Sequence, residues 1–257
     1  MSTVPAIKHL FLKQARKTPM SAREKLELRQ DYGIAGDINA NAKSPRQVLV
    51  VDAADLKSFS ILPGELRENI ILELVNPEHF KPGAKLTFAS GAVIRLTFYC
   101  EPCKRMAHLV DSLKSMQQKR GILGVVIQSG AIAIGDRVEL QPDYFPALSE
   151  VPYERYLDFL RQVPCGTIVT YKQILEAIGV DRSYFRVLPL YIRKTPANYP
   201  THRILDSQGR TTLHVKQQYE LLTAEGIELT SDRNSVSGDR HVVCVERYAW
   251  NNHSLLM

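Results

Sequence analysis

Cysteine is scarce in this chain, with four in 257 residues, and tryptophan occurs once. Four thiols in 29.0 kDa are too few for a disulfide framework. No stretch approaches the roughly 20 apolar residues that a membrane helix needs. The start, MSTVPAIKHLFLKQARK, is broken by Lys8, His9 and Lys13 before any apolar run reaches signal-peptide length. No membrane partner is therefore expected, and a cytoplasmic location is. Internal repeats, low-complexity tracts and flavin, haem or iron–sulfur motifs are also missing, so electrons for any redox chemistry would have to come from a partner.

What is present is an ordinary globular balance, 44% hydrophobic and 23% charged, with a net charge of +6. The first 147 residues hold most of that surplus, 20 Lys+Arg against 15 Asp+Glu, which suits anionic ligands such as phosphates. The texture changes near QPDYFPALSEVP, residues 141–152, which has three prolines and no periodic apolar face. Before it, QVLVVD (47–52), AVIRLTFY (92–99), LGVVIQSG (123–130) and DRVEL (136–140) read as strands of a closed or nearly closed sheet. After it, YERYLDFLRQV, YKQILEAIG, SYFRVLPLYIRK and KQQYELLTAEG space apolar residues three and four apart, with Gly179 and Gly226 as stops. An α+β chain of two domains, 1–147 and 148–257, is expected.

The stretch FYCEPCKRM places Cys100 and Cys103 three apart beside Lys104 and Arg105. A disulfide, half a zinc site, a redox pair and a single soft-metal thiolate all fit that spacing. Cys100, Cys103 and His108 begin like a zinc knuckle, but Leu113 stands where a fourth ligand would be. Cys165 and Cys244 show no pairing pattern. Cys165, ahead of a helix-turn-helix pattern, reads as a buried turn residue, and Trp250 as an anchor for the tail.

The ordered set GIAGDINA (33–40), SPRQVLVVD (44–52), LPGELRENIIL (62–72), the cysteine pair and IGDRVEL resembles the MOSC domain over nearly all of residues 5–140. That domain is the C-terminal module of molybdenum cofactor sulfurases and of molybdenum-containing amidoxime-type reductases. The resemblance implies a β-barrel that binds the molybdenum cofactor, molybdopterin. It implies that Cys103 is the catalytic thiolate that ligates molybdenum, with Cys100 as its neighbour or a bystander. A thiolate is a soft ligand, and Lys104 and Arg105 would favour its ionised form. By the same resemblance Lys13, Asp37, Arg46, Arg67 and Asn69 lie where the family holds the pterin and its phosphate. Where many members carry Arg after the Gly-Asp pair, Ile38 stands here, which removes one anion contact.

A second ordered set, VPCGTIVTYKQILEAIG, FRVLPLYIRKTP, YPTHRILDSQGR and VKQQYELLTAEG, is similar to the DNA-binding domain of O6-alkylguanine-DNA alkyltransferases and their alkyltransferase-like relatives, over roughly residues 150–229. The implied fold is a small, mainly helical winged helix-turn-helix that enters the minor groove and flips a nucleotide. Tyr171 matches the tyrosine that rotates the flipped phosphate, and Arg186 the arginine that fills the vacated stack. His202 and Glu225 match the relay that activates the family's cysteine, but Thr201 holds the nucleophile position. A hydroxyl is a poor substitute for a thiol there, so no alkyl transfer is expected. The loop between Gly209 and Lys216 is about five residues short of the family's, and Pro189 would kink its helix unless it lies in the first turn.

Three functions follow. The first is a molybdenum-dependent oxidoreductase acting on N-hydroxylated compounds, nucleobases among them, with an electron-donor protein and a DNA-binding-like module. The second is a non-enzymatic binder of DNA lesions. The third is a sulfur or cofactor carrier with a persulfide on Cys103.

Overall fold

The computed structural model describes residues 4–231 and 241–251, so the end of the chain read above as an anchored tail lies, from 252 on, outside the described residues. The chain divides into two compact units, Met1–Glu150 and Val151–Met257.

In the first unit the strands are β1 (Ala6–Leu12), β2 (Ser21–Arg23), β3 (Lys25–Arg29), β4 (Gly33–Ile34) and β5 (Val48–Asp52). After α1 (Ala53–Ser58) come β6 (Ile70–Glu73), β7 (Lys85–Phe88), β8 (Val93–Tyr99), β9 (Ile122–Gln128), β10 (Gly130–Ala133) and β11 (Val138–Gln141). Among the described residues eight of them form one sheet in the order β11-β7-β8-β9-β5-β6-β1-β2, and β10-β3-β4 form a second. All five residues of β5 are buried, because both faces of that central strand are covered. Val48 and Val50 join Ile70, Ile94, Ile122 and the small sheet's Leu26, Leu28 and Ile132 in one core. The alternate residues Leu49 and Val51 join Ile71, Leu56, Phe98, Cys100 and Met116 in another. Burying each such side chain fully contributes about 1.5–3 kcal/mol.

The expected barrel does not close. Only the start of β1 meets the start of β11, through the isolated bridge Ala6 with Arg137 and three backbone hydrogen bonds, Ile7 N–H to the Asp136 carbonyl at 3.0 Å and, at 2.8 Å each, Gly135 N–H to the Ile7 carbonyl and Val138 N–H to the Pro5 carbonyl. The reason lies in β1. Its Leu10–Leu12 edge is occupied by β2, which leaves only its first residues to meet β11.

Two connections shape this unit. β5 and β6 are parallel, so the chain must cross over between them, and the crossover, 53–69, carries α1 and the LPGELREN segment. β8 and β9 are antiparallel yet joined by a long loop, 100–121, whose neck continues their pairing through Cys100 N–H to the Gly121 carbonyl at 2.9 Å. Gly121 is required at this neck: its φ is +93°, and a Cβ there would lie 2.4 Å from the Val50 carbonyl oxygen.

In the second unit α2 (Pro152–Gln162), β12 (Val169–Thr170), α3 (Tyr171–Ala177) and α4 (Leu188–Lys194) are followed by β13 (Ile204–Leu205) and α5 (Gln218–Ala224). A strand pair, β14 (Leu229–Ser231) with β15 (His241–Val243), and α6 (Val245–Tyr248) complete it. Thr170 and Gln173 cap α3 reciprocally. Tyr156, Phe159, Leu160, Ile174, Leu188 and Ile192 fill the core, and the Trp250 ring packs 5.6 Å from Phe159. The helix expected across SYFRVLPLYIRK is instead broken. Arg182–Arg186 form a 3-10 turn, and α4 starts anew at Leu188. An unbroken helix would press the Pro189 ring against the Phe185 carbonyl, whereas in the first turn of α4 the missing N–H costs nothing and no kink follows.

The strongest local constraint is a buried knot of polar side chains. Asn69, 5% exposed, accepts from Leu49 N–H at 3.0 Å and donates to the Phe11 carbonyl at 3.3 Å and to Asp37 at 2.9 Å. Asn69→Ala strands the Leu49 N–H and part of the Asp37 carboxylate. Since each orphaned buried group costs about 1–3 kcal/mol, urea unfolding is expected to register a loss on the order of 3 kcal/mol. An unchanged midpoint would show that the knot is dispensable.

Candidate functional site

In the first unit the residues expected to hold the cofactor fall into two sets. Asp37 and Asn69 are absorbed by the knot. Asp37 accepts from Lys13 N–H at 3.0 Å, from the Asn69 amide, and from the Asn39 backbone and side chain at 2.8 and 3.0 Å. Its oxygens are thereby filled from within the protein. The Lys13 ammonium is buried and bonds the Thr18 carbonyl. These three fix the end of β1, the Gly33–Ala40 turn and the start of β6 to one another. Arg67, by contrast, is exposed at the end of the crossover, in a left-handed conformation with φ 65°.

The second set surrounds the cysteine loop. Cys103 is half-buried and leads into a 3-10 turn, Lys104–Met106. Cys100 is 2% exposed, and burial pushes its thiol up despite the nearby Arg120 and Arg46 cations. Arg46 Nη2 lies 4.0 Å from Cys100 Sγ. Arg120 closes the loop's neck by donating from Nη1 to the Glu101 carbonyl, while its Nε has no partner. Beside this loop is a cleft of about 360 Å³ lined by Tyr99, Cys100, Glu101, Pro102, Lys114, Gln117 and Glu150. Among the described residues no cluster of three or more His, Cys, Asp and Glu could hold a metal ion by itself, and His108 makes no zinc set with the two cysteines.

Two side chains here escaped the sequence reading. Arg120 has as its signal only its place before the Gly121 that opens a buried strand. Glu68 is fully buried in LPGELREN; burial pushes its carboxyl up to about 7 against the Gly64 N–H bond at 2.6 Å, and Oε2 has no partner.

In the second unit His202 and Glu225, read by resemblance as the alkyltransferase relay, come together next to Thr201. Thr201 opens the 3-10 turn Thr201–Arg203, and the next residue, His202, has Nε2 2.8 Å from Glu225 Oε1. Arg203, which sequence reading passed over, grips Glu225 with Nε at 2.9 and 3.0 Å and Nη2 at 2.6 Å. Gly166 N–H adds a bond at 3.1 Å. Burial works to raise the Glu225 carboxyl, but Arg203, His202 and Gly166 outweigh it and hold the group at about 2. Cys165 is exposed, contrary to the expectation of a buried turn residue. Val163 fills the core instead, and Gly166 at φ +74° turns the chain so that its N–H reaches Glu225. Tyr171 is half-buried at the start of α3, and burial raises its phenol. Arg186 is exposed at the end of the 3-10 turn before α4, near in sequence to the exposed Arg182, Arg193 and Lys194.

Comparison with protein families matches residues 40–139 to the MOSC domain, and residues 152–227 to the 6-O-methylguanine DNA methyltransferase, DNA binding domain. The chain thus carries a MOSC domain followed by an alkyltransferase-like DNA-binding domain. Curated proteins give no match. Among solved structures, the YUAD protein from Bacillus subtilis is similar at 20% identity and a TM-score of 0.45, covering 54% of this chain and 96% of that one. YiiM from Geobacillus stearothermophilus is similar at 15% and 0.44, covering 73% and 98%. S. pombe Atl1, in complex with damaged DNA containing O6-carboxymethylguanine, is similar at 22% and 0.35, covering 39% and 95%. Among the described residues no helix is long and apolar enough to cross a membrane.

The Glu225 cluster carries a pH signature. A carboxyl held at about 2 contributes stability that is complete above its ordinary value of 4.5 and is lost as the pH falls toward 2. Glu225→Gln is expected to lower the neutral-pH stability of this unit by about 3 kcal/mol, since it leaves Arg203 without its counter-ion. It should also flatten the acid limb between those two values. Trp250 fluorescence reports on this unit, and an acid limb identical to wild type would contradict the assignment.

Proposed function

We propose that the chain is a molybdenum-cofactor-dependent oxidoreductase that reduces N-hydroxylated compounds, nucleobases included. The observation that carries this reading is the division of labour between the two thiols inside a MOSC domain. Cys100 is buried and neutral, and Cys103 is the accessible one, next to Lys104 and Arg105. The surroundings fit an anionic, thiolate-ligated group: Arg46 and the buried Arg120 face the same loop, and Arg120 retains an unpartnered nitrogen. Cys103 would ligate the metal, Arg46 and Arg67 would hold the anionic part, and Lys13, Asp37 and Asn69 would position them through the knot. When bound, the cofactor supplies a two-electron redox centre. The overall reaction takes two electrons and two protons, breaks the N–O bond and releases water. The electrons come from a donor protein.

The second unit, in this reading, is a DNA-binding module without alkyl-transfer activity. A histidine and a glutamate 2.8 Å apart can relay a proton, but Thr201 offers them no thiol. Binding through Arg186 and Tyr171, supported by the basic residues along α4, is expected to be weak and salt-sensitive, as contacts to phosphates are.

Two measurements test these roles. On protein made in a cofactor-producing host, Cys103→Ala is expected to abolish retained molybdenum in elemental analysis and Cys100→Ala to spare most of it. Equal retention in both would overturn the ligand assignment. After incubation with an oligonucleotide containing O6-methylguanine, mass spectrometry is expected to find no methyl adduct on the protein, and an adduct at Thr201 would contradict the reading. In a low-salt gel shift, Arg186→Ala and Tyr171→Ala should each weaken the complex; wild type without any shift would make the module a protein-contact domain instead.

A further inference from the structure

At the end of the first unit away from the cysteine loop is a cavity of about 410 Å³, within the roughly 300–1,000 Å³ usual for small-molecule sites. It lies where the start of β1 meets the start of β11, beside the Thr87–Val93 pair that begins β8. Lys13 and the cysteine loop follow the opposite ends of β1 and β8, and none of the residues assigned above to the cofactor lines this cavity. Pro5, Phe88 and Leu140 give it an apolar wall. Three donors converge on it. The Arg137 side chain, among the described residues, has no hydrogen bond or ion pair, and Asn76 adds a side-chain amide. The third donor is the Leu140 N–H. Hydrogen bonds of an antiparallel strand alternate between its two edges, and Val138 N–H goes to the Pro5 carbonyl at 2.8 Å, so the N–H two residues on leaves by the same edge. Past Pro5 no described strand covers that edge, since as a strand β11 pairs with β7 alone. Thr87, in the wall, keeps a buried hydroxyl without a partner, the mark of a place that a ligand or its water completes.

We propose that this cavity binds a small organic monocarboxylate. The carboxylate sits on the Arg137 guanidinium and the Leu140 N–H, and the hydrocarbon body lies against Pro5, Phe88 and Leu140. A guanidinium fork matches the two oxygens of a carboxylate, and the bonds are charge-assisted. The nearby acids set the charge of the ligand. Glu139 also lines the cavity, where it accepts from Gln141 Nε2 at 2.7 Å, and Glu78 lies 3.9 Å from Nε2 of the lining His79. One guanidinium beside two carboxylates favours a single negative charge over two.

The test uses the cofactor-free full chain and sodium hexanoate, followed through the amide resonances of isotope-labelled protein. Hexanoate is expected to shift the Val138 and Leu140 amides saturably. Hexanamide, as long but uncharged, should bind wild type at least about tenfold more weakly, as should hexanoate to Arg137→Gln, since each loses a charge-assisted bond. Arg137→Lys should keep part of the affinity, and hexyl phosphate, a dianion, should bind more weakly than hexanoate. No saturable shift, shifts confined to other residues, equal affinity for hexanoate and hexanamide, tighter binding of hexyl phosphate, or undiminished affinity in Arg137→Gln each overturns the proposal. Arg137 is exposed, so the variant is expected to fold. Should it not, the hexanamide comparison and Asn76→Ala decide, and hexanoate bound as tightly by Asn76→Ala as by wild type overturns the site. With no cofactor present, the result is independent of the Cys103 assignment.

Discussion

The first unit depends on what the Asn69 side chain does. It stands at the point where the crossover from β5 returns to the sheet as β6, and its amide satisfies Leu49 on β5, Phe11 on β1 and Asp37 in the Gly33–Ala40 turn. A buried carboxylate is costly unless every oxygen is bonded, and Asp37 is bonded only because Asn69 and the Lys13 and Asn39 groups converge on it. That convergence fixes the register of β1, β5 and β6. It also sets the exposed Arg67 at the crossover's end. The cysteine loop springs from β8 and β9, the second of which pairs with β5, and is thereby placed against a rigid sheet.

The second unit uses the same physics to another end. Glu225 is gripped by a bidentate arginine, a histidine and a backbone N–H, an arrangement that stabilises the carboxylate strongly and leaves it a poor base. The cluster joins the 3-10 turn at Thr201–Arg203 to the end of α5 and to the Gly166 turn. It therefore holds the fold together whether or not it relays a proton.

Much of this was legible in the sequence, and the failures have physical causes. Strand and helix positions followed from apolar periodicity, and Gly179 and Gly226 do end their helices with φ of 65° and 80°. The barrel did not close because β2 occupies the Leu10–Leu12 edge of β1, a pairing between short strands that apolar alternation does not reveal. Pro189 broke a helix that apolar spacing alone would have continued. Asp37 and Asn69 have the right chemistry for a ligand, and what could not be read in the sequence is that Asn69 is already bonded to the Leu49 N–H, the Phe11 carbonyl and the Asp37 carboxylate, contacts set by strands far apart in sequence. Arg120 left almost no trace, since burial of a cation is a tertiary fact. Cys165 misled because its neighbour Val163 takes the core position.

The central claim is that Cys103 is the protein's own ligand to molybdenum. X-ray absorption at the molybdenum edge tests it most directly, on protein purified with its cofactor, comparing wild type with Cys103→Ser and Cys100→Ser. The account predicts that Cys103→Ser, in whatever metal it retains, has one sulfur fewer around the metal than wild type, and that Cys100→Ser has the full number. A sulfur shell unchanged by Cys103→Ser, or one diminished by Cys100→Ser, would contradict it.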